Sequence, residues 1–322
     1  STSKEITYGD SITLKASMTS GTPQTVTWKS SNTAVATVKD GVVTAKGKGT
    51  AKITASLPNG RSAVCTVKVT TKKLPTSGYS YASTAQYTGS AIIPTVTVKD
   101  GSKVLSQNID YRVIVTNNVK IGHANITISG MGNYYGSYSA GFDIIPAKQT
   151  IQKLETRYKG FFVDWAQKGS ATGYDVEYSV KANMSGAVSK HLTASKPDTL
   201  TVSGLSGDKT YYVRVRSYTN VNGKVYYGAW SDVKSIKTAN NDITKATVSG
   251  ISTKAFTGKT ITQNVTVKVG NTVLKNGTDY TVSYSNNKKV GKATVKITGK
   301  GKYGGVITKT FKINPAKQEI QK

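Results

Sequence analysis

Residues 87–153 recur without a gap as residues 256–322. Laid on itself at an offset of 169, the chain matches "YTG" with "FTG" and "DY" at 110–111 with "DY" at 279–280. It also matches "NN" at 117–118 with "NN" at 286–287, and "SGMGNYYG" with "TGKGKYGG". A repeat of this kind makes the chain modular before any single residue is interpreted, because each copy must be a structural unit. The tails "IIPAKQTIQK" at 144–153 and "INPAKQEIQK" at 313–322 match as well. The first tail opens a block with no counterpart elsewhere in the chain. The second therefore reads as the opening of another such block, and the chain is expected to be a segment of a longer protein that continues the alternation.

Within each copy the pattern is that of short strands. "IIPTVTVKDGSKVL" and "ITQNVTVKVGNTVL" alternate apolar and polar residues around a Gly-containing turn, a hairpin signal. "DYRVIVTNN" and "DYTVSYSNN" read as strands ending in Asn-Asn turns. "GHANITISG" and "GKATVKITG" add an alternating strand each. No segment holds a 3.6-residue apolar period for more than two turns, so an all-β fold is expected. A length of 322 residues leaves room for two to four small domains, and a hydrophobic fraction of 37% is enough for packed cores. No apolar run approaches the roughly 18 residues a membrane-spanning helix needs, and no signal peptide is present. Membrane insertion is not expected, and the chain reads as a mature, soluble segment.

Cys65 is the one cysteine, so neither an internal disulfide nor a cysteine-based metal site is available. In "AVCTVKV" the alternation places it with Ala63, Val67 and Val69 on one strand face, as a buried inert thiol. The charge is strongly basic: 44 Lys and Arg against 16 Asp and Glu, net +28. Nucleic acid would be the first partner to consider. Against it, the arginines are limited to Arg61, Arg112, Arg157, Arg214 and Arg216, whereas readers of bases and phosphates favour the forked guanidinium. The lysines are spread along the chain. Lysines on strand exteriors suppress edge-to-edge aggregation and attract polyanionic surfaces, phosphate-rich cell-wall polymers among them.

Three stretches resemble known families. Residues 1–70 resemble a bacterial Ig-like domain, group 2, through "VTWKSSNTAVATVKDGVVTAKGKGTAKITA" at 26–55. Residues 149–238 resemble a fibronectin type III domain, through "FFVDWAQKGSATGYDVEYS" at 161–179, "LSGDKTYYVRVRSY" at 205–218 and "VNGKVYYGAWSDVKS" at 221–235. The repeated 87–153 and 256–322 resemble an Ig-like repeat that flanks such modules in surface proteins of Gram-positive bacteria. Alternation agrees: Val163 and Trp165 share one face. Tyr211, six residues after Leu205, shares a face with Val213 and Val215, where the tyrosine corner of this fold belongs. Tyr212, Arg214 and Arg216 then face the other way.

Catalytic groups are hard to assemble. His123 and His191 are the two histidines and fall in different modules, so no histidine triad or HxxxH pair can form locally. The acids are mostly isolated Asp in turns, such as "KDG" at 39–41 and 99–101, rather than pairs lining a cleft. No calcium loop or phosphate-binding glycine loop occurs. "LPTSG" at 74–78 imitates a sortase sorting signal, but it is internal and reads as an interdomain linker. The chain is expected to be non-catalytic and to use no cofactor. The best candidates for contact with a ligand are the tyrosine-rich strings "NYYGSY" and "KVYYGAW", that is Tyr134, Tyr135, Tyr138, Tyr226, Tyr227 and Trp230, whose rings would stack on sugars.

The expected fold is a set of tandem Ig-like and fibronectin type III β-sandwich modules in an elongated array. The modules are a bacterial Ig-like domain at 1–71, repeat copies at 72–147 and 241–322, and a fibronectin type III domain at 148–240. What the resemblances imply is a non-catalytic spacer or scaffold region of an extracellular, cell-surface, cell-wall-associated or secreted protein. The alternative is an adhesin or a carbohydrate- or cell-wall-binding region, which as part of a secreted hydrolase would be its accessory region. Expected partners are a cell-wall polymer, glycan or host surface, with no specific nucleic acid, and the segment is expected to be monomeric.

Overall fold

The computed structural model describes residues 2–18, 24–166, 170–193 and 198–316. The end of the second tail, 317–322, lies outside them, as do 167–169 of the 161–179 stretch. Among the described residues the regular structure is strand, apart from a single 3-10 turn at Ile243–Lys245. Among the described residues no helix is long and apolar enough to cross a membrane. The chain divides into two compact units, Ser1–Ile144 and Ile145–Lys322.

In the first unit, strands Thr2–Thr7, Ser62–Thr70, Gly49–Ser56 and Thr27–Ser30 form one sheet in that order. Ser11–Thr13, Val42–Ala45 and Ala36–Lys39 form the facing sheet. Ile6, Val43, Ile53, Val67 and Val69 fill the space between them, and the Cys65 thiol is buried in the same core. A second pair of sheets follows. Thr84–Gln86, Ser137–Ile145, Gly122–Gly130 and Tyr111–Thr116 make one, and Lys103–Val104, Thr97–Asp100 and Tyr79–Ser80 the other.

In the second unit, Ile151–Arg157, Gly160–Trp165 and Thr199–Val202 face a larger sheet of Val188–Leu192, Gly173–Ser179, Thr210–Val221 and Lys224–Tyr227. Lys234–Lys237 pairs with the first half of the long strand Thr210–Val221, and Lys224–Tyr227 with its second half. The core is Trp165, Phe161, Val163, Tyr174, Val176, Tyr178, Val213 and Val215, the alternate residues of each strand. The tyrosine corner is present: the Ser206 amide donates to the Tyr211 hydroxyl at 3.3 Å. The second repeat pairs Lys254–Ala255, Val306–Asn314, Gly291–Gly299 and Tyr280–Ser285 in one sheet with Thr247–Ser249, Thr266–Val269 and Thr272–Val273 in the other.

The recurring motifs hold these sandwiches together. The Asp of each "DY" caps its own turn: Asp110 Oδ2 accepts from the Ser106 amide at 2.9 Å, and Asp279 Oδ2 from the Lys275 amide at 3.0 Å. The Tyr hydroxyls cross the sandwich to a carbonyl, Tyr111 to Val96 at 2.9 Å and Tyr280 to Val265 at 3.2 Å. The second Asn of each "NN" donates its amide to Ile92 or Ile261, and the first, Asn117 or Asn286, takes the positive φ that the turn demands. Buried carbonyls need such partners. That requirement is enough to explain why these letters recur.

The "GxGxYxG" turn docks the chain that enters each repeat. Lys72–Lys73 runs parallel to Tyr134–Tyr135, with the Lys72 amide donating to the Asn133 carbonyl and the Leu74 amide to the Tyr135 carbonyl, at 2.8 and 2.9 Å. One repeat later, Asn241–Asp242 runs parallel to Tyr303–Gly304, and the Asn241 amide donates to Lys302. Leu74 and Ile243 occupy equivalent buried positions. The "LPTSG" stretch is therefore packed in place, with the Tyr79 hydroxyl donating to the Pro75 carbonyl at 2.7 Å. It does not simply separate its neighbours, because Leu74 supplies an apolar side chain that the repeat buries.

In the second unit this docking brings Gly304 against the backbone of the preceding sandwich. A methyl at Gly304 would lie 2.3 Å from the Arg157 carbonyl carbon and the Tyr158 nitrogen, and backbone cannot swing aside. Gly304→Ala should therefore cost about 1–3 kcal/mol and split or lower the calorimetric unfolding of the full chain. An unchanged melting profile would show that this close approach does not matter.

Candidate surface sites

The six aromatic candidates do not form one platform. Tyr134 is 3% exposed and Tyr226 is 6% exposed, so neither can offer a ring face to a ligand. Both were reached by counting tyrosines in a polar string, and alternation within each strand turns one of every adjacent pair inward. Tyr138 lies flat on Tyr79, ring centroids 3.8 Å apart and 5° from parallel. Tyr135 and Tyr227 remain open, at 51% and 41%. Trp230 is half-buried under charge.

Tyr134 is the centre of a polar cluster where the first sandwich meets the first repeat. Its hydroxyl donates to Asp100 Oδ2 at 3.0 Å, and Lys72 Nζ approaches the same oxygen at 2.6 Å. The Tyr8 ring packs edge-on against Tyr134 at 5.5 Å, and Lys103 donates to the Tyr8 hydroxyl at 2.8 Å. Partial burial alone would raise the Asp100 carboxyl. The Lys72 and Tyr134 donors outweigh it and hold the group below its ordinary 3.8. Burial first, then the bond to Asp100, push the Tyr134 hydroxyl up. The bond to Tyr8 first of all raises the Lys103 ammonium. Asn133 completes the seam by accepting from the Lys48 amide at 2.8 Å.

On the first sandwich of the second unit, the outer face of the larger sheet carries a ladder. Arg214 reaches Glu177 Oε2 through Nε at 2.8 Å and Nη2 at 2.6 Å. Arg216 Nε donates to Asp175 Oδ2 at 2.9 Å. Both guanidinium groups lie over the Trp230 ring, 4.4 Å from its centroid, and Arg216 also covers Tyr227 at 4.0 Å. Asp175 Oδ1 meets His191 Nδ1 at 2.6 Å, and the His191 ring stacks on Tyr218 at 4.5 Å. The ladder follows from register: Asp175 stands opposite both Arg216 and His191, and Glu177 opposite Arg214. Each cation–π contact contributes about 0.5–2 kcal/mol, and the charges neutralise one another. Trp230 and Tyr227 are thus first of all covers for buried ion pairs.

Beside the ladder lies a shallow concavity of about 560 Å³ that includes Thr172, His191, Tyr218, Asn220 and Tyr227. The exposed Tyr227 ring, the His191 imidazole and the Asn220 side chain are the groups it can present to a sugar, since Tyr218 is only 4% exposed and its hydroxyl already donates to the Leu192 carbonyl. Tyr227 was expected from sequence. His191, Tyr218 and Asn220 were not, because His191 comes from Val188–Leu192 and the other two from Thr210–Val221; the alternation that turned Arg214 and Arg216 outward was the available signal. Among the described residues, no group of three or more His, Cys, Asp and Glu is placed to hold a metal ion.

Comparison with known proteins gives limited likenesses. Residues 12–58 match the immunoglobulin-like domain of intimin, a span lying within the first sandwich. No curated protein matches the chain. Among solved structures, the chicken CNTN1 FN1-FN3 domains are 12% identical, with 61% of this chain and 80% of that chain covered and a TM-score of 0.27. A beta-1,2-glucanase from Parabacteroides distasonis is 13% identical, with 36% and 17% covered and a TM-score of 0.25.

The Asp100 cluster sets a pH dependence. A carboxyl lowered on folding contributes stability that is complete above its unfolded value and is lost as pH falls through the folded one. The first unit should therefore weaken as the pH drops below about 4. Asp100→Asn should cost about 2 kcal/mol at pH 7 and flatten that acid slope, as read by denaturant titration at several pH values. If the variant kept the wild-type slope, Asp100 would not be its source.

Proposed function

We propose that this chain is a non-catalytic spacer or scaffold region of an extracellular or surface-exposed bacterial protein. The observation that carries the reading is the docked entry strand seen in both units. The same backbone pairing, at Lys72–Lys73 and at Asn241–Asp242, seats each repeat on the chain emerging from the sandwich before it. A segment that must hold other domains apart gains from such seating, since an unpaired linker would let adjacent sandwiches swing freely. The intimin-like match and the all-β tandem architecture support placement outside the cell.

A second reading, contact with a glycan, is favoured by the concavity at His191, Asn220 and Tyr227. Co-sedimentation of the chain with purified Gram-positive cell wall and with insoluble polysaccharides, at low and high salt, separates the two. The spacer reading expects no salt-resistant pelleting with any polysaccharide. Saturable pelleting that survives high salt and disappears in Tyr227→Ala would replace it with the glycan-binding reading.

A further inference from the structure

The two copies of the repeat share the Asp, Tyr and Asn residues that cap their turns and cross their sandwiches, and they differ on the outward face of the larger sheet. In the first copy, His123 stands directly opposite Asp143 on neighbouring strands. Their side chains meet, Nδ1 to Oδ1, at 2.7 Å. The equivalent positions in the second copy are Lys292 and Lys312, again directly opposite one another. A compensated pair has been exchanged for two like charges at the same register. Thr127 of the first copy is likewise replaced by Lys296, on the same strand and face as Lys292.

Like charges placed directly across an antiparallel pair destabilise it. Among the described residues, Lys292, Lys296 and Lys312 make no ion pair, and all three are exposed. Protection against edge aggregation does not account for Lys292 and Lys296. Gly291–Gly299 lies between Tyr280–Ser285 and Val306–Asn314, an interior strand with no free edge. The acids described in residues 241–316 are Asp242 and Asp279, and both are held in turns. A basic face that costs stability and is centred on an interior strand fits one that meets a polyanion.

We infer that the Lys292–Lys296–Lys312 face of the second repeat binds a linear polymer of polyol phosphodiesters. Lysine presents a compact point charge suited to a singly charged phosphodiester, without the bidentate fork of arginine. Around the lysines the same face carries Ser283, Ser285, Thr308 and Thr310, all exposed, hydroxyls matched to those of a polyol. No aromatic side chain points outward there, since Tyr280 is buried and Tyr284 turns inward to bond with the Gln263 carbonyl. Base stacking, the usual support for single-stranded nucleic acid, has no platform on this face. The proposal goes beyond the spacer reading, which needs no ligand.

The test transplants the pair already tolerated by the first copy. The full chain carrying Lys292→His with Lys312→Asp is compared with wild type for binding to immobilised synthetic poly(glycerol phosphate) at physiological ionic strength. A charge-matched control, Lys29→His with Lys39→Asp, alters exposed lysines of the first sandwich. Binding should weaken about tenfold or more in the transplant and little in the control, while the melting temperature of the transplant holds or rises. The reciprocal His123→Lys with Asp143→Lys should strengthen binding. Equal losses in transplant and control would reduce the effect to diffuse net charge and overturn the site. Wild-type binding to duplex DNA or to a polycarboxylate as tight as to the phosphodiester polymer would overturn the ligand class. The outcome is independent of the polysaccharide experiment, which reads salt-resistant binding at Tyr227.

Discussion

Backbone pairing at each junction organises this protein. When the Lys72 and Leu74 amides donate to the carbonyls of Asn133 and Tyr135, a segment that would otherwise be linker becomes a strand of the repeat, and Leu74 is drawn into a buried position. The backbone groups had to find partners in any case. Finding them in the next sandwich rather than in water makes the chain direction at the junction a property of the fold. The second unit repeats the arrangement with Asn241 and Ile243, and there glycine at 304 lets backbone meet backbone.

Around these junctions the polar side chains are heavily committed. The Asp100 carboxylate serves Lys72 and Tyr134 together, and Asp175 serves Arg216 and His191. Asp100 is half-buried and Asp175 buried, and each is tolerable because two donors converge on it. The tyrosine abundance has the same origin. Tyr111, Tyr280 and Tyr211 each bury a ring and use the hydroxyl to satisfy a backbone group, a task phenylalanine could not perform. Aromatic content here measures sandwich construction more than ligand contact. The positions free to vary lie on outward faces, where His123 and Asp143 of one copy give way to Lys292 and Lys312 of the other.

Much of the architecture was legible because β-structure writes its period into the sequence. The strands at Tyr111–Thr116, Gly122–Gly130, Tyr280–Ser285 and Gly291–Gly299 lie where alternation placed them, and the tyrosine corner at Tyr211 lies where spacing placed it. The candidate site was far less legible. Tyr134 and Tyr226 were as plausible as Tyr135 and Tyr227 in a string of letters, and the fold buried one of each pair. His191, Asn220 and Tyr227 share a concavity although they belong to three different strands, and a single sequence holds no record of which strands will be neighbours.

Alternation, turn residues and self-similarity at a fixed offset are local or periodic properties, and from them the sequence by itself determined an all-β chain, its repeated segment and most strand positions. Tertiary structure alone decided which polar groups meet: that Asp175 would stand under Arg216 and beside His191, that "LPTSG" would be docked, and that Lys292 would face Lys312. The physical reason is that cross-strand register is settled by burying one face of every strand at once. Charges on the opposite face take whatever neighbours that burial assigns them.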